Sequence, residues 1–355
     1  MTSILLLALA AAGQPVAPAG DKVPRAVFRE APLLRFPADT DCNSPSHWSN
    51  GTFYIFISAG HPKRSSGSDL FHLGPATPSK YDSEMNGGRW IECTWKEEDG
   101  TLWGWYHNEP GGLCPGTTLT APRIGAVSSK DDGANLHDLG LVLEARPAPL
   151  RCDAKNGFFA GGNGDFSVML DEKKEWLYFL FSAYSGEVSE QGVAVARMAW
   201  ADRASPAGKV LKWHRGEWKE PGLGGRLTPV FPAALEWARF DPDAFWGPSI
   251  HRNTHLGRYV VLMNRTKDRP KDGPPWFQEG VYVSFADDLS KPEGWTKPVK
   301  IYSGGGWYPL AVGIDTGRLE TDKLAGRVAR FFLRGADNIG ESRFEVLFLK
   351  PGESP

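Results

Sequence analysis

The sequence predicts an all-β protein, a five-bladed β-propeller with four-stranded antiparallel blades, and three observations predict it. Glycine (41), proline (28) and tryptophan (14) are plentiful in 355 residues, which favours many turns joined by short aromatic strands over long helices. Five aromatic or β-branched runs recur, at residues 53–58 (FYIFIS), 102–107 (LWGWYH), 177–182 (LYFLFS), 259–264 (YVVLMN) and 328–334 (VARFFLR). Polar turn segments precede most of them (SNGT, EEDGT, DEKKE, NTHLGR), several with the Gly or Asn that tight hairpins need at positive φ. Each run therefore reads as the second strand of a hairpin.

Taken in order, residues 1–20 carry an apolar run from Ile4 to Ala12 that is too short to span a bilayer and is followed by small residues. They are expected to form a signal peptide or a disordered N-terminus, with a buried strand or an uncleaved anchor as the alternative. Residues 21–355 then make a single propeller domain, in which 23–37 add an outer strand to the last blade. First strands open near Asp41, Glu92, Asp165, Gly247 and Tyr308. Third strands are expected in SDLFHL near Asp69, RIGAVSS, GVAVARM, GVYVSFA and RFEVLFL, and outer strands in LGLVLEA, WHRGEWKEP and WTKPVKIYS. Unequal loops hide the period, and the competing architecture is a pair of β-sandwiches.

Forty basic and 42 acidic residues leave a net charge of -2, so no basic field exists to hold nucleic acid or an anionic membrane. A secreted or periplasmic monomer is expected. Cys42, Cys93, Cys114 and Cys152 form no CxxC pair, which leaves two disulfides or four buried thiols. No H-E-x-x-H or G-x-S-x-G motif is present, and His251 and His255 lie on a strand end and turn rather than on one helix face. The glycine-rich GGNGD and GLGG lack the strand-then-helix setting of a phosphate cradle.

The first strand of a propeller blade lines the central channel and shows alternate side chains to opposite faces. In WIECTW, Glu92 shares a face with Trp90 and Thr94, against Ile91, Cys93 and Trp95; in GDFSVML, Asp165 falls with Ser167, opposite the apolar row Phe166, Val168 and Leu170. Asp41 opens the first blade. Three acids from successive blades can therefore converge, and cleavage of a glycosidic bond needs two carboxyl groups held in different protonation states. His107 and His251 lie near the same channel, as does Asn43. Trp246, Trp307 and Tyr308 stand where inner strands begin and could stack on a sugar ring, although blade packing uses tryptophan too.

These blade starts resemble those of the five-bladed β-propeller glycoside hydrolases, the superfamily of family 43 arabinanases and xylosidases and of families 32 and 68. The resemblance implies a hydrolase of an arabinan- or xylan-like poly- or oligosaccharide, with Asp41 as base or nucleophile and Glu92 and Asp165 sharing the remaining roles. Position along the inner strands makes Asn43, His107, Trp246, His251, Trp307 and Tyr308 the expected substrate contacts, and no cofactor or catalytic metal is expected, with a structural calcium in the channel allowed. Departures are plain: Asp41 is displaced from the blade-one proline, and Trp246 stands where an acid-Gly-Pro strand has its acid. Glu109 and Glu279 are therefore reserve acids, and the alternatives are a carbohydrate-binding propeller without catalysis or a sialidase-like enzyme. The stretch SSKDDGANLHDLG is similar to the Asp-box turn of sialidases, which also need an arginine triad, and Arg89, Arg123, Arg197, Arg252 and Arg265 show no spacing that identifies one.

Overall fold

The computed structural model describes residues 13–16 and 23–355, and its β-sheets are the five blades of a propeller. The first blade runs outward through Ser46–Ser49, Thr52–Ala59, His61–Gly67 and Thr77–Pro78. The second runs through Gly88–Lys96, Leu102–Glu109, Arg123–Ser129 and Asn135–Leu143, with Lys80–Tyr81 added in parallel at its edge. The third begins with Asn163–Leu170, Trp176–Ala183 and Gly192–Ala199, and the fourth with Ala244–Asn253, Arg258–Thr266 and Gln278–Ala286. Trp307–Gly313, Val328–Arg334 and Ile339–Leu349 start the fifth. Its outer strand is Arg25–Asp39, paired antiparallel with Ile339–Leu349, so the N-terminal segment ties the ring shut as the sequence suggested.

One strand differs from expectation. Gly60, at φ +80°, reverses the chain directly after Ala59, so His61–Gly67 becomes the third strand of the first blade. The SDLFHL stretch is instead a turn in which the Asp69 carboxylate accepts from Phe71 N (2.8 Å) and meets the His72 ring. The proposed leader falls mostly outside the described residues; of its 20 positions, Gln14–Pro15 pairs with Val299–Ser303 at the edge of the fourth blade. Among the described residues no helix is long and apolar enough to cross a membrane.

The aromatic runs are apolar almost throughout because both faces of each blade are covered by neighbours, and strand alternation distributes their side chains. Leu177, Phe179 and Phe181, with Phe166 and Val168 of the same blade, pack toward Trp105 and Ile124 of the second blade, while Tyr178 and Leu180 pack toward Ile250 and Val261 of the fourth. Each of the five junctions between blades has its own apolar cluster of this kind, so the core is five wedges around a polar channel. Fully burying one such side chain contributes about 1.5–3 kcal/mol.

The channel itself is shaped by β-bulges at equivalent places. Pairing with the second strand slips between Ile91 and Cys93, between Gly164 and Phe166, between Trp246 and Ser249, and between Trp307 and Leu310. A bulge inserts an unpaired residue and re-aims it; the inserted positions include Glu92, Asp165, Gly247 and Tyr308. The slip also corrects the alternation expected in WIECTW, because Ile91 packs toward the first blade and Cys93 toward the third. Cys114 and Cys152 form a disulfide that joins the loops before and after the outer half of the second blade, while Cys42 and Cys93 are buried thiols. That outcome is neither the pair of disulfides nor the four thiols expected.

Candidate active site

At one end of the channel the bulges bring Glu92, Asp165 and Tyr308 from three blades close to His107, which lies two residues before the end of the second strand of the second blade. Asp165 (φ +41°) and Tyr308 (φ +57°) hold left-handed backbone despite their side chains, a local strain compensated by the contacts they make. Glu92 is wholly shielded from solvent. Its Oε1 lies 3.0 Å from His107 Nδ1, and its Oε2 accepts from Phe166 N (3.0 Å). Asp165 accepts from the hydroxyls of Tyr184 and Tyr308, the latter at 3.2 Å.

His107 links this buried pair to the surface. Its Nε2 lies 3.2 Å from Glu109 Oε1, and the Glu109 side chain is 30% exposed. Burial alone would lower the imidazole pKa, but the carboxylates of Glu109, Glu92 and Asp165 raise it well above its ordinary value. As an imidazolium, His107 donates to Glu92 through Nδ1. When neutral, Nδ1 can instead accept the Asp165 backbone N–H, which lies 3.0 Å away. Burial is also the main force on the acids: it raises the Glu92 pKa against the opposing His107 contact, and it pushes Asp165 up to about 7, with the Glu92 charge adding to it.

Asp41 sits nearer the solvent, 39% exposed at its side chain, with Oδ1 3.3 Å from Arg334 Nε. Desolvation raises its pKa, Arg334 opposes the rise, and the Glu109 charge reinforces it. One acid that touches water, Glu109, and two that do not are therefore joined through one histidine, and Asp41 stands beside them on Arg334.

A roof of aromatic side chains lies over the buried acids. Phe159 stacks on Tyr184 at 4.5 Å, Trp276 stands edge-on to both Phe159 and Tyr184, and Phe158 packs against Trp276 and Trp307. Phe158 and Phe159 come from the loop that the disulfide pins through Cys152.

The other expected site residues are placed as follows. Asn43 is buried and acts as a cross-link, its Nδ2 donating to Phe166 O (2.9 Å) and Pro248 O (3.0 Å), which removes it from substrate contact. Trp246 is buried under Trp276, Trp307 and Tyr308, so its ring has no free face for a sugar. His251 is buried beside Phe348 and held neutral, its pKa pulled down to about 3 by burial and then by Lys323, far from solvent. Glu279 lies on the third strand of the fourth blade with Lys300 and Tyr282 and does not join the acids. Trp307 and Tyr308 remain partly exposed at the site.

Tyr184 and Arg334 were missed in the sequence, although a signal existed: in a hairpin the second strand ends where the first begins, so residues closing an aromatic run return to the channel mouth. The Asp-box-like turn is internally satisfied, Asp131 accepting from Ser129, Asn135 N and Asn135 Nδ2. Arg89, Arg123, Arg252 and Arg265 bond to Asp138, Asn108, Glu172 and Asp243, and Arg197 stacks on Trp176, so these five form no triad.

Ligand atoms of Glu92, His107 and Asp165 all fall within 4.8 Å of one another, close enough to share a cation. Calcium, which takes six to eight oxygens, fits poorly: one of these three ligands is a nitrogen, and the carboxylates already accept from protein donors. Deeper in the channel the Lys323 ammonium already supplies a positive charge beside His251.

No protein-family model matches this sequence, nor does any curated protein. Solved structures do match in shape. An endo-arabinase from Bacteroides thetaiotaomicron VPI-5482 is similar at a TM-score of 0.52 and 10% identity, over 90% of this chain and 99% of that one. The catalytic domain of the Coprinopsis cinerea GH62 α-L-arabinofuranosidase gives 0.51 at 10% identity, over 93% and 98%. The Cellvibrio cellulosa α-L-arabinanase gives 0.50 at 12%, over 87% and 91%. The likeness spans nearly the whole of each chain and is one of fold.

Proposed function

We propose that this protein is an exported glycoside hydrolase of an arabinan- or xylan-like poly- or oligosaccharide. The observation that carries this reading is the convergence of four carboxyl groups from the first three blades on one end of the channel, two of them solvent-facing and two buried behind His107. Asp41, with its raised pKa, is suited to give a proton to the leaving oxygen, which exchanges the base role implied by resemblance for that of acid. Glu109, in contact with the His107 imidazolium, is the ionised partner. Glu92 and Asp165 act through His107 and Tyr184, holding the imidazolium in place. The solved arabinan- and arabinoside-acting propellers lend the substrate class, and the Cys114–Cys152 disulfide supports an oxidising compartment. No cofactor enters the reaction, and the near-neutral charge supports a chain acting on carbohydrate rather than on nucleic acid or an anionic membrane.

Purified protein incubated with arabinan, xylan, fructan and galactan fragments tests this, with reducing-sugar release as the readout. Wild type should release sugar from one class, and Asp41→Asn and Glu109→Gln should each cut the rate by about 10²–10⁴-fold. Release undiminished in both variants would remove the assignment. The second reading, a carbohydrate-binding propeller, is favoured by the aromatic roof over Glu92 and Asp165; it predicts fragment binding with no product.

A further inference from the structure

A cavity of about 320 Å³ lies on the far side of the aromatic wall that screens the acids. Phe159 and Tyr184 form part of its lining, and Tyr184 is the same side chain whose hydroxyl reaches Asp165. Arg146, Arg151, Glu187 and Gln191 supply its polar groups. Cavity and acid cluster are thus separated by one stacked pair of rings. Phe159 is carried on a loop whose glycines 157, 161 and 162 all hold positive φ, where added side chains would be strained.

We propose that this cavity is a binding site for one or two units of an uncharged saccharide, an inference that rests on the glycosidase reading and extends it. Its volume is at the small end of the range for small-molecule sites, about 300–1,000 Å³, so it suits a short saccharide rather than a long stretch of polymer. A sugar ring offers carbon–hydrogen bonds on its faces and hydroxyls around its rim. The ring edges of Phe159 and Tyr184 that reach the lining match the first, and the planar ends of Arg146 and Arg151 match the second, the Gln191 amide being already engaged by Gly186 O and Trp237 N.

Charge selects against an acidic sugar. Arg146 Nε already donates to Glu190 Oε2 at 2.9 Å, and Arg151 is paired with Asp153 (3.1 Å) and Glu236 (3.5 Å). Glu187 adds a negative charge to the lining. No unbalanced cation is left there for a carboxylate or sulfate. A guanidinium fixed by a carboxylate still offers its remaining N–H groups to hydroxyls.

The test uses the full protein with arabinobiose, xylobiose and galactobiose as probes and galacturonic acid as the charged comparison, read by saturation-transfer NMR. Ala148→Trp and Ala238→Trp fill the cavity from half-buried positions away from the acids, and unchanged melting temperatures verify their folding. At least one neutral disaccharide should bind wild type more tightly than galacturonic acid, and both variants should weaken it at least tenfold. Absence of neutral binding, preference for galacturonic acid, or undiminished binding in both variants would each overturn the site. Hydrolysis separates the two readings. Sugar release with KM unchanged in both variants keeps the enzyme and removes the cavity from its substrate path; disaccharide binding lost in both variants, from a protein that releases no sugar, keeps the cavity and removes the enzyme.

Discussion

Two residues along the innermost strands separate two polar levels of the channel, and they handle buried charge differently. At the first, Glu92 and Asp165 share one histidine, and three acids press on the His107 ring. At the second, Lys323 Nζ meets Asp322 Oδ2 at 3.0 Å and Ser167 Oγ at 3.0 Å, while Asp322 Oδ1 accepts from Ser46 N and Ser46 Oγ. The lower level is one cation against one anion with hydrogen bonds completing both, an arrangement that locks the loop carrying Lys323 against three blades. The upper level has carboxyl groups in excess, so protons must be shared, and only there does the network lead out to a partly exposed acid, Glu109. Pairing one to one makes structure; leaving acids in excess makes a site that can exchange protons.

That contrast can be broken in four ways. Glu92→Gln keeps a neutral acceptor for Phe166 N, so it should lower turnover in the proposed hydrolysis by about 10²–10⁴-fold while moving stability by less than about 1 kcal/mol; turnover and urea midpoints from one preparation measure both. Lys323→Met should do the reverse at the level of folding, costing about 3–5 kcal/mol by leaving Asp322 buried without its cation. An Lys323→Met protein as stable as wild type would abolish the distinction.

The third concerns pH. Asp165 is pushed from 3.8 up to about 7 in the folded protein, so its contribution to stability is complete below about pH 4 and is lost as pH rises toward 7. One proton difference corresponds to about 1.4 kcal/mol per pH unit. Asp165→Asn should flatten the stability curve across that window, as followed by chemical denaturation at several pH values; an unchanged slope would place the proton elsewhere. The smallest change in titration is expected at His107 itself, where Glu109→Gln removes one of the carboxylates raising its pKa. The His107 Cε1 proton resonance should then titrate at lower pH than in wild type, and a titration that stays put would mean that Glu92 and Asp165 alone hold the imidazolium.

How far the sequence could be read depended on whether alternation or three-dimensional closure decided the feature. The apolar row Phe166, Val168 and Leu170 was legible and packs as read, because a strand between two blades has two buried faces and a period of two. Glu92 and Asp165 were legible as channel residues because they recur at equivalent places in successive repeats. His107 was noticed near the channel, but its bridging between Glu92 and Glu109 was not: Glu109 follows it two positions along the same strand, whereas Glu92 reaches it only through the bulge between Ile91 and Cys93, which no local period marks. The third strand of the first blade was misplaced because Gly60, rather than the later Ser-Gly-Ser segment, makes the turn.

What the chain determined by itself is the ring: turn residues, aromatic runs and their fivefold recurrence dictate hairpins whose both faces must be covered, and five such blades cover one another. Tertiary structure alone decided the bulges that slip Ile91 and Cys93 to opposite neighbours, the disulfide-held loop that roofs the acids, and which carboxyl groups meet water. Those features depend on closure distances between segments remote in sequence, and no local periodicity encodes them.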